Sequence, residues 1–306
     1  MTAEPAEPPA LECFPLDPEG VEAFAQHLLA RPELPEGARA YCQAYLSDDT
    51  KAEPGRKLMH QHARYITAFI LIRNYYAWRD GGGAAPTLSL LKELSGLSSR
   101  HTANLVATLR AGRLVEDQPI ATDQRIKLLK PAPELVFSVG RSQICFAELA
   151  DRLDRREPER GAQLRRDADA LGGLLRVAGD YLAQYPGILT QFPNVLNLSR
   201  FDCGYEVLMI IMLAHYAQQS GQETPSLSQQ ALSRRFGIST SHAGNIVAAL
   251  RADGTLELGP RGQFQGLADK MVHEFHHWCA AQTAHTILLC DGPLSRLQPP
   301  TLTQSR

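Results

Sequence analysis

Sixteen residues of this chain occur twice, and that repetition constrains its fold more than any other feature. Residues 96–111 read GLSSRHTANLVATLRA and residues 237–252 read GISTSHAGNIVAALRA. The copies lie 141 positions apart and agree at nine of the 16 aligned positions without a gap. A match of that density marks one unit used twice, and a repeated unit sets the architecture before any single element does. Neighbouring residues follow the same offset within two positions. Tyr76-Ala77 returns as Tyr216-Ala217, Pro86-Thr87-Leu88 as Pro225-Ser226-Leu227, and Leu91 as Leu232.

Each 16-mer has the period of a helix. In the first copy Thr102, Leu105, Val106 and Leu109 fall on one face, and His101, Asn104 and Thr108 on the adjacent one. Ser98 is a good N-cap, and Ser95-Gly96-Leu97 forms the tight turn before it. Upstream, a long helix is expected from Arg56 to about Arg79, ended by Gly81-Gly82-Gly83, followed by a short helix over residues 86–94. Downstream, residues 114–120 and 126–129 have strand character around a polar, basic tip. The order helix, helix, turn, helix, hairpin is that of a winged helix. In the second copy the helix over residues 207–216 precedes the repeat. A shorter hairpin follows it, Leu256-Glu257-Leu258 and a return through Phe264 around Gly259-Pro260-Arg261-Gly262. A final helix is expected over residues 267–289.

The expected fold is therefore mainly α with small β-hairpins, as tandem winged helix-turn-helix domains joined by helical arms. The expected boundaries are an N-terminal segment with short helices (1–55), a first winged-helix domain (56–140), connecting helices (141–200), a second winged-helix domain (201–290) and a tail (291–306). Residues 151–169 are highly charged with both signs mixed, which reads as a solvated helix pair. The alternative is an arm that packs the two halves, or two chains, together.

A chain of 306 residues suits about two domains at ~150 residues each. No apolar run reaches the ~18 residues of a membrane span, and the acidic, Pro-rich start lacks the features of a signal peptide. The six cysteines are scattered without a CxxC pair, as expected of reduced packing residues in a cytoplasmic protein. The net charge of −2 carries no global nucleic-acid signal. Locally, residues 97–130 hold six basic residues against three acidic, and residues 226–262 hold four against two, a bias compatible with phosphate contact.

A B-form major groove admits an α-helix whose N-terminal end is small or hydroxylic and whose outer face is polar. Ser98, Ser99, Arg100, His101, Asn104 and Thr108 meet that need in the first copy; Ser239, Thr240, Ser241, His242 and Asn245 meet it in the second. Asn suits adenine and Arg suits guanine. The expected partner is double-stranded DNA, with no cofactor, metal or catalytic residue. The segment from Ala68 to Leu135 resembles the winged helix-turn-helix of MarR-type transcriptional regulators. The resemblance rests on Leu97-Ser98, Leu105-Val106, Leu109, Gly112-Arg113-Leu114-Val115, Asp123-Gln124-Arg125, Leu128-Leu129 and Pro131. It implies a wing in which Arg125, with Lys127 beside it, approaches the minor groove. The second copy lacks the Asp-x-Arg wing, and Arg261 is its substitute. The resemblance further implies homodimers and a small-molecule effector. Tyr65, Tyr75, Trp78 and Trp278 are candidate lining residues of an effector pocket, or else core. Because two units share this chain, one chain is expected to act as its own pseudo-dimer. A replication initiator with tandem winged helices and a scaffold that binds no DNA remain as alternatives.

His273-Glu274-Phe275-His276-His277 matches HExxH, which on a helix places two imidazoles for zinc beside a general base. No glutamate follows Glu274 to act as a downstream ligand, and position 283 is Thr where an extended motif needs His. An amphipathic helix is expected instead. Gly81-Gly82-Gly83 lacks the ending of a phosphate loop, and Ser142 and Ser199 lack a nucleophile-elbow context.

Overall fold

The computed structural model describes residues 14–47, 56–120 and 123–292; the side chains of residues 56, 57, 120 and 123–125 fall outside that description. The chain is mainly helical, with two small antiparallel two-stranded sheets. No helix among the described residues is long and apolar enough to cross a membrane.

Helix α1 (Pro18–Leu29) begins where the Asp17 carboxylate accepts from the Gly20 amide at 2.8 Å, with proline in the first turn. It buries Val21, Phe24, Ala25 and Leu28, and α2 (Leu34–Tyr45) follows. The single helix expected from Arg56 to Arg79 is two: α3 (Arg56–Met59) and α4 (His62–Arg79). Gln61 is extended at the join, and the His60 carbonyl accepts from the Cys203 amide at 3.2 Å, far along the chain. A carbonyl bonded to another element in this way does not carry the helix through.

From α4 the first unit runs through α5 (Leu88–Leu94), α6 (Ser99–Ala111), β1 (Val115–Ile120), β2 (Asp123–Pro131) and the long α7 (Pro133–Asp154). Then come α8 (Arg160–Arg166), α9 (Ala168–Gln184) and α10 (Pro193–Ser199). The second series is α11 (Gly204–Gln219), α12 (Gln229–Phe236), α13 (Thr240–Ala252), β3 (Leu256–Leu258), β4 (Phe264–Leu267) and the long α14 (Asp269–Asp291). Leu267, expected to open the final helix, ends β4 instead.

The two series share their backbone turns as well as their letters. Gly96 and Gly237 both have positive φ, 68° and 67°. Arg113 and Gly254, also 141 positions apart, do too, at 57° and 72°. After each pair the chain makes the same bond back to its helix, Leu114 to Leu109 at 2.8 Å and Thr255 to Leu250 at 2.9 Å. Each long helix is then anchored by an alanine amide, Ala132 to the Leu114 carbonyl and Ala268 to the Thr255 carbonyl, both at 2.9 Å. The left-handed turn costs nothing at Gly254 and is strained at Arg113, where a side chain crowds the carbonyl.

The core lies in two apolar clusters that share α7. Cys145, Phe146, Leu149, Ala150 and Leu153 face the cluster built from α1, α2 and the second series. Leu135, Val136, Val139, Ile144 and Ala147 face the cluster built from the first series and α9. The middle section is thus solvated only in part. Leu149, Leu153 and Leu164, the apolar residues set among its charges, are all buried. Helix α9 also closes on α4 through Gly172 and Gly179, where an added Cβ would strike the Tyr76 ring and the Arg73 stem.

Part of the charge run is interior. Arg160 is 3% exposed and contacts Asp151 at 3.0 Å, Asp154 at 2.7 Å and Asp291 at 2.7 Å. Burial works against its charge, but the Asp291 and Asp154 carboxylates outweigh that and hold it more firmly protonated. Asp291 ends α14, where a negative charge opposes the helix dipole; Arg160 and Arg156 neutralise it there. Removing one partner strands the others. Arg160→Met is therefore expected to destabilise the fold by about 3–5 kcal/mol, read as a lowered urea midpoint.

Two histidines of α14 are held neutral, His285 buried and His276 half-buried. Burial lowers the pKa of His285 from 6.5 to about 4. Burial, then the nearby His215 and His273, lowers that of His276 to about 4 as well. A depressed histidine pKa lets the unfolded chain bind protons first, so stability is full above 6.5 and falls as pH drops toward 4. From His285 the loss between about pH 7.5 and about pH 5 is roughly 2 kcal/mol. Urea titrations at both pH values should show that loss, and His285→Leu should lessen it.

Candidate nucleic-acid interface

Helices α6 and α13 are both 13 residues long and start on a serine whose side chain satisfies a first-turn amide. Ser98 Oγ accepts from the His101 amide at 3.3 Å and Ser239 Oγ from the His242 amide at 3.1 Å. The inner faces match position for position, with Thr102, Leu105, Val106 and Leu109 buried in one, and Ala243, Ile246, Val247 and Leu250 in the other. Where they differ, they compensate. The first unit closes its turn with a buried hydrogen bond of 2.8 Å between Ser95 and Thr102. The same two positions in the second unit are Phe236 and Ala243, so a ring and a methyl group take the place of two hydroxyls.

The outer faces diverge. Ser98, Ser99, Arg100, His101, Asn104 and Thr108 are all exposed on α6 and its cap. Thr108 donates to the Asn104 carbonyl at 2.9 Å, and His101 Nδ1 lies 2.8 Å from Ser98 Oγ. On the second unit Ser239, Thr240, Ser241 and Asn245 are exposed, but His242 is not the outward residue its spacing predicts. Its ring is half-buried, with Nε2 at 2.9 Å from the Asp202 carbonyl. The imidazole turns inward because that carbonyl, just ahead of α11, offers a partner which helical periodicity does not record.

The hairpins lock onto the start of each helix pair. In the first, Leu129 donates to the Pro86 carbonyl at 2.8 Å and Thr87 bridges Leu128. In the second, Leu227 donates to the Gly262 carbonyl at 3.0 Å. Lys127 is exposed on β2, opposite Pro119. Arg125 lies on the β2 backbone, but its side chain falls outside the described residues. Arg261 is exposed at the tip of the second hairpin, in a one-turn 3₁₀ segment. Arg110 is bonded to Asp117 of β1 at 3.0 and 2.5 Å, which neutralises one of the basic residues counted in the local excess. Arg113, in its left-handed turn, and Arg234 and Arg235, at the end of α12, are exposed cations that the period of the outer faces does not select.

Between the helices lies a cavity of about 210 Å³. Tyr65 and Trp278 line it, as expected of them; Tyr75 and Trp78 do not, and pack with each other and with Tyr76 instead. Gln143 Oε1, Tyr181 Oη and His285 Nε2 lie among its lining residues, buried and without a hydrogen-bond partner among the described residues. Beyond Tyr65 and Trp278 the sequence carries no signal for it, because its walls come from both ends of the described chain.

The HExxH residues are engaged elsewhere. Glu274 accepts from the Val195 amide at 2.9 Å and from Asn194 at 2.5 Å, capping α10, and His277 lies 2.9 Å from Glu22. Ser142 bonds Tyr41 at 2.9 Å, and Ser199 donates to the Leu196 carbonyl at 2.8 Å. No protein-family model, curated protein or solved structure matches this chain.

The caps yield a local prediction. Ser98→Ala and Ser239→Ala should each cost about 1 kcal/mol, seen as faster amide exchange confined to the first turns of α6 and α13. Uniform exchange across the chain would refute it.

Proposed function

We propose that this chain is a sequence-specific DNA-binding transcriptional regulator in which two MarR-like winged helices of one chain act as an intramolecular pseudo-dimer. Residues 56–140 and 201–290 are the winged units of this reading. The observation that carries it is the pairing of α6 and α13. Two helices with the same serine cap and the same four buried positions each turn a polar, hydroxyl-rich N-terminal face to solvent. A groove-reading helix needs such a face, because backbone amides approach phosphate there while Asn and Arg reach base edges.

In this reading Arg100, His101 and Asn104 read bases in one half-site, and Asn245 with Ser241 reads the other. Ser98, Ser99, Ser239 and Thr240 approach phosphate. Arg125 and Lys127 from the first hairpin, and Arg261 from the second, contact the flanking backbone or minor groove. The copies are unequal, since Ser241 stands where Arg100 does and His242 is held by Asp202. The operator is accordingly an imperfect palindrome with half-sites about one helical turn apart. The central cavity supports an effector of mostly apolar character with a polar end, suited to Gln143 Oε1, Tyr181 Oη and His285 Nε2, which have no hydrogen bond among the described residues.

Genome-wide binding-site mapping followed by titration on the recovered site tests this. Asn104→Ala should weaken specific binding by about 1–3 kcal/mol and Asn245→Ala by less, with non-specific binding unchanged. Specific binding retained in the double variant would overturn the assignment of the reading helices.

A further inference from the structure

His60, Asp202 and Cys203 meet where the break between α3 and α4 touches the start of α11. Among the described residues they are the one group of three or more histidines, cysteines and carboxylates close enough to share a metal ion, with ligand atoms all within 4.8 Å of one another. His60 Nδ1 lies 2.9 Å from Cys203 Sγ, and the Cys203 amide donates to the His60 carbonyl at 3.2 Å, so backbone as well as side chains hold the pair together. Cys203 is fully buried. Behind the imidazole, a Glu206 carboxylate oxygen lies 3.6 Å from His60 Nε2, and the Glu206 side chain is 8% exposed. At 3.6 Å this is a charge contact rather than a hydrogen bond; a carboxylate on that side of the ring favours the proton on Nε2 and leaves Nδ1 to face the ligand position, the arrangement that supports metal-bound histidines.

We propose that His60, Asp202 and Cys203 form a zinc site with Glu206 as its outer carboxylate. One imidazole nitrogen, one thiolate and one carboxylate oxygen suit a borderline cation, and three protein donors leave one position for water. Tetrahedral ligands around zinc sit about 3.5 Å apart, so the 2.9 Å thiol–imidazole contact opens by some tenths of an ångström as the ion enters. On binding, the Cys203 S–H bond breaks, the sulfur–zinc bond forms and the thiol proton leaves to solvent. The site adjoins the second reading unit on two sides. Cys203 Sγ is 4.0 Å from the Phe236 carbonyl at the end of α12, and the Asp202 carbonyl holds His242 of α13.

The test uses the full chain without a histidine tag and without DNA, so its outcome is independent of the DNA-binding reading. Zinc is titrated in competition with a chromophoric chelator, and cobalt is substituted to report thiolate ligation. One equivalent of zinc should bind, and cobalt should give a thiolate-to-metal charge-transfer band that Cys203→Ser abolishes. Glu206→Gln should keep the band while weakening zinc about 10–100-fold, and His60→Gln should weaken it at least as much. If Cys203→Ser does not fold, His60→Gln and Asp202→Asn, at half-buried positions, carry the same comparison. Absence of stoichiometric zinc binding, a charge-transfer band that survives Cys203→Ser, or zinc affinity unchanged in His60→Gln would each overturn the proposal.

Discussion

The burial of α7 on two sides at once is the constraint on which the other elements depend. A helix that lay on the surface would need only one apolar stripe. This one carries two, with Cys145, Phe146, Leu149, Ala150 and Leu153 toward one cluster and Leu135, Val136, Val139, Ile144 and Ala147 toward the other. Neither cluster closes without it. Its last turn supplies Asp151 and Asp154 to Arg160, which reaches on to Asp291 at the end of α14, the helix that occupies the corresponding place in the second series. The charged stretch that follows α7 is thus partly an internal fastening between the two long helices.

The paired series agree in some features and part in others. Turns are kept where the backbone has no alternative: Gly96 and Gly237 hold the same left-handed angle, and Arg113 tolerates the conformation that Gly254 adopts freely. Interior closure is kept by different chemistry, as the exchange of the Ser95–Thr102 hydrogen bond for the apolar pair Phe236 and Ala243 illustrates. Outer positions are mixed: Ser98, His101 and Asn104 recur as Ser239, His242 and Asn245, while Arg100 and Thr108 give way to Ser241 and Ala249.

Much of the helical framework was legible because it is local. The cap at Ser98, the inner face of Thr102, Leu105, Val106 and Leu109, and the short second hairpin all follow from period, turn residues and repetition. What was illegible depends on partners distant in sequence. The break at His60 follows from a bond to Cys203. The inward ring of His242 follows from a carbonyl 40 positions away. Periodicity cannot distinguish a charge run that is solvated from one folded around a buried arginine. The same limit hid most of the cavity's lining, whose walls Pro18 and Leu289 come from opposite ends of the described chain.

The hydrogen bond between His242 and the Asp202 carbonyl has a mechanical side. His101, its counterpart, is engaged among the described residues with the cap of its own helix, so the first turn of α6 has no such bond to a distant segment. Helix α13 is strapped through its first turn to the residue just ahead of α11. The two outwardly similar helices therefore differ in how their first turns are anchored, α6 by its own cap and α13 also by a segment 40 positions away.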